Sequence, residues 1–172
     1  MLSDFRELLK SFNDHGVRYL IVGGYAVSFY AQPRATKDLD IFIKADRENA
    51  KAVYAALASF GAPLQGIATE DLADPSKFIR FGREPVAIDI LPAIDGVDFD
   101  TAWKRRVSGL IEVRSGLTAY FISETDLIAS KVAAGRLRDL ADVEDLRNVA
   151  GSQKTSNVAE PQTEKPGDSG SS

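Results

Sequence analysis

The chain has 172 residues, with 25 Asp and Glu against 21 Lys and Arg and a formal net charge of −4. That length suits one domain rather than two well-buried ones, and the acidic balance excludes a strongly basic nucleic-acid surface while leaving room for a local basic groove. Cysteine is absent and His15 is the one histidine, so disulfides, thiolate metal sites, cysteine nucleophiles and multi-histidine zinc sites are excluded, and any chemistry falls to carboxylates, lysines, hydroxyls or a hard cation.

From the N-terminus, Ser3 is placed to cap a helix whose Phe5, Leu8, Leu9 and Phe12 share one face. His15 and Gly16 end it. Tyr19–Val22 is a short β-rich run that meets Gly23 and Gly24 at once. Ala26, Val27, Phe29 and Tyr30 then predict a short helix, stopped by Pro33. Residues 38–44 read as a strand, and Arg47–Phe60 as an amphipathic helix closed by Gly61. Two strands follow at 77–81 and Val86–Leu91, then a short helix at 99–105 and strands at 111–113 and 119–122. Ser123 is a good cap for a helix through Ala134, with Asp126 near its positive end. Gly135 breaks it, and a last helix runs to about Ala150. This order favours an α+β or α/β sheet carrying helices. Residues 151–172 are rich in Gly, Ser, Pro, Gln, Thr and Asn, and Val158 and Ala159 are their only aliphatic residues. They bury too little to offset ordering entropy, so the expectation is a folded unit over 1–150 and a disordered tail over 151–172. No apolar run reaches membrane-spanning length, and Asp4 and Glu7 break the pattern of a signal peptide.

Asp38 and Asp40 stand two apart in a predicted strand and so share one face, with Leu39, Ile41 and Ile43 on the other. Adjacent like charges destabilise a strand unless something offsets them. A divalent cation does so, because hard oxygen ligands suit Mg²⁺; solvation on an exposed face is the other reading. Asp89 interrupts an apolar strand, where a bare carboxylate is costly. If that strand lies beside the first, three carboxylates converge; an edge position or an arginine partner would also accommodate it. Gly23 and Gly24 let backbone N–H groups approach an anion at the positive end of a helix, although glycines also serve plain tight turns. Together these parts describe a site for a metal-bound nucleoside triphosphate. Gly23 and Gly24 would hold phosphates and Asp38 and Asp40 would hold Mg²⁺. Asp89 would bind a second metal or deprotonate an attacking hydroxyl.

The paired glycines, short helix, Asp-Leu-Asp strand and later Ile-Asp-Ile strand resemble the nucleotidyltransferase superfamily that includes DNA polymerase β. Arg34, Thr36, Asp38 and Asp40 look like the R-x-T-x-D-x-D signature of small bacterial nucleotidyltransferases of the AbiEii type, some of them toxins of toxin–antitoxin systems. The likeness continues over residues 127–146 and covers most of 15–150. It implies a nucleotidyltransferase-like mixed β-sheet flanked by helices, with C-terminal helices. It implies a catalytic, metal-binding triad of Asp38, Asp40 and Asp89, and nucleotide or phosphate contacts from Gly23, Gly24, Arg34, Thr36 and Lys131. Many relatives carry Gly-Ser where this chain has Gly23 and Gly24. The implied cofactor is Mg²⁺ or Mn²⁺, and the implied substrate is an NTP such as ATP. The implied acceptor is a hydroxyl of an RNA such as tRNA, or of a protein. A cognate antitoxin, a cytoplasmic location and no membrane association complete the picture. A nucleotide-binding or regulatory module without turnover is the competing reading. A plain α/β domain, in which the three acids do not converge, is the third.

The remaining charges have simpler readings. Arg138 with Asp142 and Arg136 with Asp139 have helical pairing distances, and that pairing ranks above a role for Asp142 in the site. Arg34 and Lys37 either contact phosphate or balance the acids. Lys104, Arg105 and Arg106 either guide an anionic acceptor or form a solvated turn. Trp103 reads as an anchor in or near the core. His15 is given no catalytic role.

Overall fold

The computed structural model describes residues 1–83 and 86–156. In chain order the elements are α1 (Ser3–Asp14), β1 (Tyr19–Val22), α2 (Gly23–Tyr30), β2 (Leu39–Ile43), α3 (Arg47–Phe60), α4 (Thr69–Leu72) and β3 (Ile79–Arg83). They continue with β4 (Val86–Leu91), α5 (Phe99–Lys104), β5 (Val107–Glu112), β6 (Leu117–Phe121), α6 (Glu124–Ala134) and α7 (Leu137–Ser156). The described strands form a six-stranded mixed sheet in the order β3-β4-β2-β1-β6-β5. β1 runs antiparallel to β2 and parallel to β6, and β2 runs parallel to β4. The helices α1 and α3 pack on each other, while α2, α6 and α7 form a second group. No helix among the described residues is long and apolar enough to cross a membrane.

The apolar stripe of α1, Phe5, Leu8, Leu9 and Phe12, is buried as its spacing requires. Ser3 does not cap it. Leu2 holds the cap position, no side chain caps the helix, and Ser3 is its first residue. Asp46 caps α3 by accepting the Asn49 N–H at 2.7 Å, and Gly61 closes that helix with φ +90°. Buried Asn49 then ties α3 to the sheet. Its Oδ1 accepts the Arg18 N–H, and its Nδ2 donates to the carbonyls of Arg18 and Lys44. β2 is central and buried on both faces. Leu39, Ile41 and Ile43 are fully covered on one side, and Phe42 lies under Phe99 of α5 on the other.

Several elements differ from expectation: β2 is Leu39–Ile43 rather than 38–44, β3 is Ile79–Arg83 rather than 77–81, β6 is Leu117–Phe121 rather than 119–122, and α4 is an addition. β5 starts at Val107, earlier than the apolar run at 111–113 predicted, because pairing with β6 recruits Val107, Ser108 and Gly109 into the sheet. Gly109 allows this: a Cβ there would stand 2.7 Å from the Phe121 ring and 2.8 Å from that of Phe29. α7 runs on to Ser156, into the segment expected to be disordered, and the rest of that segment, 157–172, lies outside the described residues.

The basic run after α5 is largely engaged inside the chain. Arg106 lies 3.9 Å above the Trp103 ring, which also stacks on Phe99. Arg105 grips the buried carboxylate of Asp126 with both Nε and Nη2, while Ser123 caps α6 on the Asp126 N–H. Burial alone would push the Asp126 carboxyl up, but the hydrogen bonds from Arg105 and Ser123 outweigh it and hold Asp126 below the ordinary carboxylate range. A lowered pKa stabilises the fold above the unfolded-state value, and that contribution is lost as pH falls through the folded one. Arg105→Gln should therefore lower stability at neutral pH and flatten the loss on acidification from about pH 5 downward, as measured by urea unfolding at a series of pH values.

Candidate active site

The site begins where β1 becomes α2 with no loop between them. Gly23 takes φ +63°, and α2 starts on it without a side-chain cap. The antiparallel register pairs Val22 with Asp40, which brings the Asp40 carboxylate against Gly23. A Cβ on Gly23 would overlap that carboxylate, and one on Gly24 would lie 2.5 Å from Thr36 Oγ1. The two glycines are thus the space in which the acid and the threonine hydroxyl sit.

Across the sheet, the register sets Asp40 beside Asp89 and Asp89 beside Arg80. One row on one sheet face therefore reads Arg80, Asp89, Asp40, Val22. Asp89 is 7% exposed. Asp40 is pushed up to about 6 by burial, by the charge of Asp89 and a hydrogen bond with it, and by the charge of Asp38, with Lys131 pulling the other way. Asp38 is turned aside. It accepts the Ala87 N–H at 3.1 Å and Arg80 Nη2 at 3.0 Å. Among the described residues, no three acids or histidines are gathered closely enough to hold a metal ion. The structure therefore brings Asp40 and Asp89 together and keeps Asp38 beside them on other partners, which corrects the expectation that all three meet at one point. The donor chemistry suits a hard divalent cation: two carboxylates side by side in the sheet, with a third, Asp38, just before the strand that carries Asp40.

A second cluster faces these acids. Lys131 of α6, expected either at phosphate or in solvent, is 7% exposed and donates to Asp142 at 2.7 Å and to Asp139 at 3.4 Å. Arg34 forks onto Asp142, and Arg136 onto Asp139. For both aspartates burial is the largest influence and would raise the pKa. The cationic hydrogen bonds outweigh it, led by Arg34 on Asp142 and by Arg136 on Asp139, and both stay below the ordinary range. Arg136 pairs with Asp139 as its spacing predicts. Asp142 does not pair with Arg138 four residues before it; it is 1% exposed and belongs to Arg34 and Lys131. Asp139 was missed as a residue of the cleft, and Asp142 was ranked below a simple helical pair. Their signal is modest: acids three apart on one helix, after a glycine break that folds the helix back toward the preceding lysine.

These groups line an open cleft of about 520 Å³ whose walls include Gly23, Gly24, Thr36, Asp38, Asp40 and Lys131. Lys37, Arg136 and Arg138 add positive charge to it. An adjoining hollow of about 240 Å³ shares Asp40 and Lys131 and is walled by Leu91, Ile94, Leu127 and Ser130. His15 lies in the turn after α1 and lines neither hollow, with Nδ1 2.8 Å from the Ser11 carbonyl oxygen. The glycine geometry sets a stability test. Gly23→Ala should cost about 1–2 kcal/mol for its left-handed backbone and more for the displaced Asp40. Gly116→Ala, with φ +68° and open space around it, should cost only the backbone share. Urea unfolding of the two variants makes the comparison.

Comparisons with known proteins bear on the family and the fold. The family model described as "Nucleotidyltransferase of unknown function (DUF6036)" matches residues 1–153. Among solved structures, the lincosamide antibiotic adenylyltransferase LnuA, lincomycin-bound, superposes with a TM-score of 0.55 at 16% identity, covering 87% of this chain and 98% of that one. The antibiotic-resistance factor ANT(2'')-Ia superposes with a TM-score of 0.51 at 12% identity, covering 90% of this chain and 84% of the other. At such identities the likeness is one of fold, a mixed sheet flanked by helices. No curated protein matches the chain by sequence.

Proposed function

The chain belongs to this nucleotidyltransferase family, and from that premise we propose that it moves a nucleoside monophosphate from an NTP such as ATP to a hydroxyl acceptor, with Mg²⁺ or Mn²⁺ as cofactor. The observation that carries the reading is Asp40, beside buried Asp89 in the sheet and against the glycine start of α2, on the wall of a cleft that Lys37, Lys131, Arg136 and Arg138 also line. The backbone N–H groups of Gly23 and Gly24 would receive phosphate oxygens at the positive end of α2. Lys131, Arg136, Arg138 and Lys37 supply positive charge along the polyphosphate, and Arg34 and Thr36 border it. Asp38, Asp40 and Asp89 would hold the divalent cation. When bound, that cation offsets the phosphate charge and makes the acceptor hydroxyl more acidic. The acceptor oxygen bonds to the α-phosphorus, the bond from that phosphorus to the bridging oxygen of the β-phosphate breaks, and pyrophosphate leaves. The hydroxyl proton passes to the Asp89 carboxylate.

The acceptor we favour is a hydroxyl of RNA, such as a tRNA end, or of a protein, in the cytoplasm. This rests on the R-x-T-x-D-x-D pattern rather than on the fold neighbours, whose names concern antibiotics. The same pattern supports the finer reading of a bacterial AbiEii-type toxin with a cognate antitoxin. Residues 1–150 would be the transferring unit. A non-catalytic nucleotide-binding module is the second reading, favoured by Asp38 being held by Arg80 and by the closed ion pairs around Asp139 and Asp142. Incubation with each labelled NTP, total RNA, protein and a small hydroxylated compound separates these outcomes. Label transfer to RNA or protein, reduced at least about 100-fold in Asp40→Asn, is the expected result. Calorimetric binding of NTP with Mg²⁺ but no transfer would favour the second reading.

A further inference from the structure

Arg80 is the one basic residue in the row of side chains that contains the acid pair, and it sits on the edge strand β3. The β3–β4 register places it directly opposite Asp89. Its Nη2 is 3.0 Å from Asp38 Oδ2 and its Nε is 3.5 Å from Asp89 Oδ1. One guanidinium therefore spans two of the three acids assigned to the cation, and together with the Ala87 N–H it holds the Asp38 carboxylate. Its side chain is 40% exposed. On its outer side it borders an open hollow of about 380 Å³, so it has room to withdraw.

We propose that Arg80 is a resident counter-ion of the acid cluster, a positioning residue that competes with the divalent cation and must release Asp38 and Asp89 before the cation is fully ligated. This rests on the reading of Asp38, Asp40 and Asp89 as the metal site. The physical basis is that a guanidinium beside a carboxylate weakens its hold on any second cation, proton or metal. A free metal ion then binds weakly. A metal ion arriving on a triphosphate brings its own favourable contacts with the cationic wall, and those can offset the loss of the Arg80 pairs. Arg80 thereby couples cation uptake to nucleotide uptake.

The test is Mn²⁺ titration of the full chain without nucleotide, following the spectrum of free Mn²⁺ by electron paramagnetic resonance. An opposite charge at this range changes a carboxylate's cation affinity by about tenfold or more, so Arg80→Gln should bind Mn²⁺ about tenfold more tightly than the natural chain. Arg80→Lys, which keeps the charge, should stay within about twofold of it. Unchanged or weaker binding in Arg80→Gln overturns the proposal. Asp40→Asn separates the two readings. If the natural chain binds Mn²⁺, Asp40→Asn weakens it and Arg80→Gln does not tighten it, the competition is wrong and the metal site stands. If neither the natural chain nor Arg80→Gln binds Mn²⁺, both fall. A second measurement needs no variant. In the natural chain labelled with ¹⁵N-arginine, Mg²⁺ with a non-hydrolysable NTP should shift the Arg80 Nε–H resonance and speed its exchange with water, and an unmoved resonance overturns the proposal.

Discussion

Mutual repulsion between the buried carboxylate of Asp89 and the half-buried carboxylate of Asp40 is the constraint around which this site is arranged. Asp40 and Asp89 face each other because β2 and β4 run parallel in that register. Neither could be moved by a rotamer change alone, since the central strands are packed on both faces by Leu39, Ile41, Ile43, Phe42 and Ile90. Bringing like charges together costs free energy, and it adds to the larger effect of burial in pushing the Asp40 carboxyl up to about 6. A hydrophobic pair in the same places would be cheaper for folding. A cation taken up between the acids, as proposed above, would offset that cost.

The surroundings then read as graded answers to that repulsion. Nearest is Arg80, which pairs with Asp38 and Asp89 from the edge strand. Across the cleft stands Lys131, whose charge lowers the proton affinity of Asp40 while its hydrogen bonds go to Asp139 and Asp142. Those two aspartates in turn are shared with Arg34 and Arg136. The ion-pair network joins the segment before β2 to α6 and α7, so the same contacts that fix the helical wall also hold the cationic side of the cleft at a set distance from the acids. Buried networks of this kind are expensive when incomplete and rigid when satisfied. Rigidity is what a site for a highly charged substrate requires, because positioning then costs little at the moment of reaction.

Much of this was legible in the residues. Alternation along 38–44 assigned Asp38 and Asp40 to one face and the aliphatics to the other, and the structure has that arrangement. The glycine pair, the long α3 with its Asp46 and Gly61 ends, and the Ser123 cap of α6 follow from local chemistry alone. The start of β5 did not, because Gly109 is in a strand only by virtue of the aromatic rings that cover it. Ser3 failed as a cap because the helix begins on it rather than after it. The tie between Arg34 and Asp142 spans most of the chain, and Asp142 had a nearer helical partner on paper in Arg138. Nothing in local spacing announces that a remote arginine will win.

The amino-acid order by itself determined which groups could do chemistry: no thiol, one histidine, and acids placed two apart on a strand beside two glycines. It also determined the elements, since helical and strand periodicities and end caps are properties of neighbouring residues. The tertiary structure alone decided which charges meet. Strand register put Asp89 between Asp40 and Arg80, and the packing of α6 on α7 drew Lys131, Asp139, Asp142 and Arg34 into one buried set. The reason is physical: a side chain's secondary structure depends on residues a few positions away, whereas its ionic partner is whichever charge the folded chain brings within a few ångströms and shields from water.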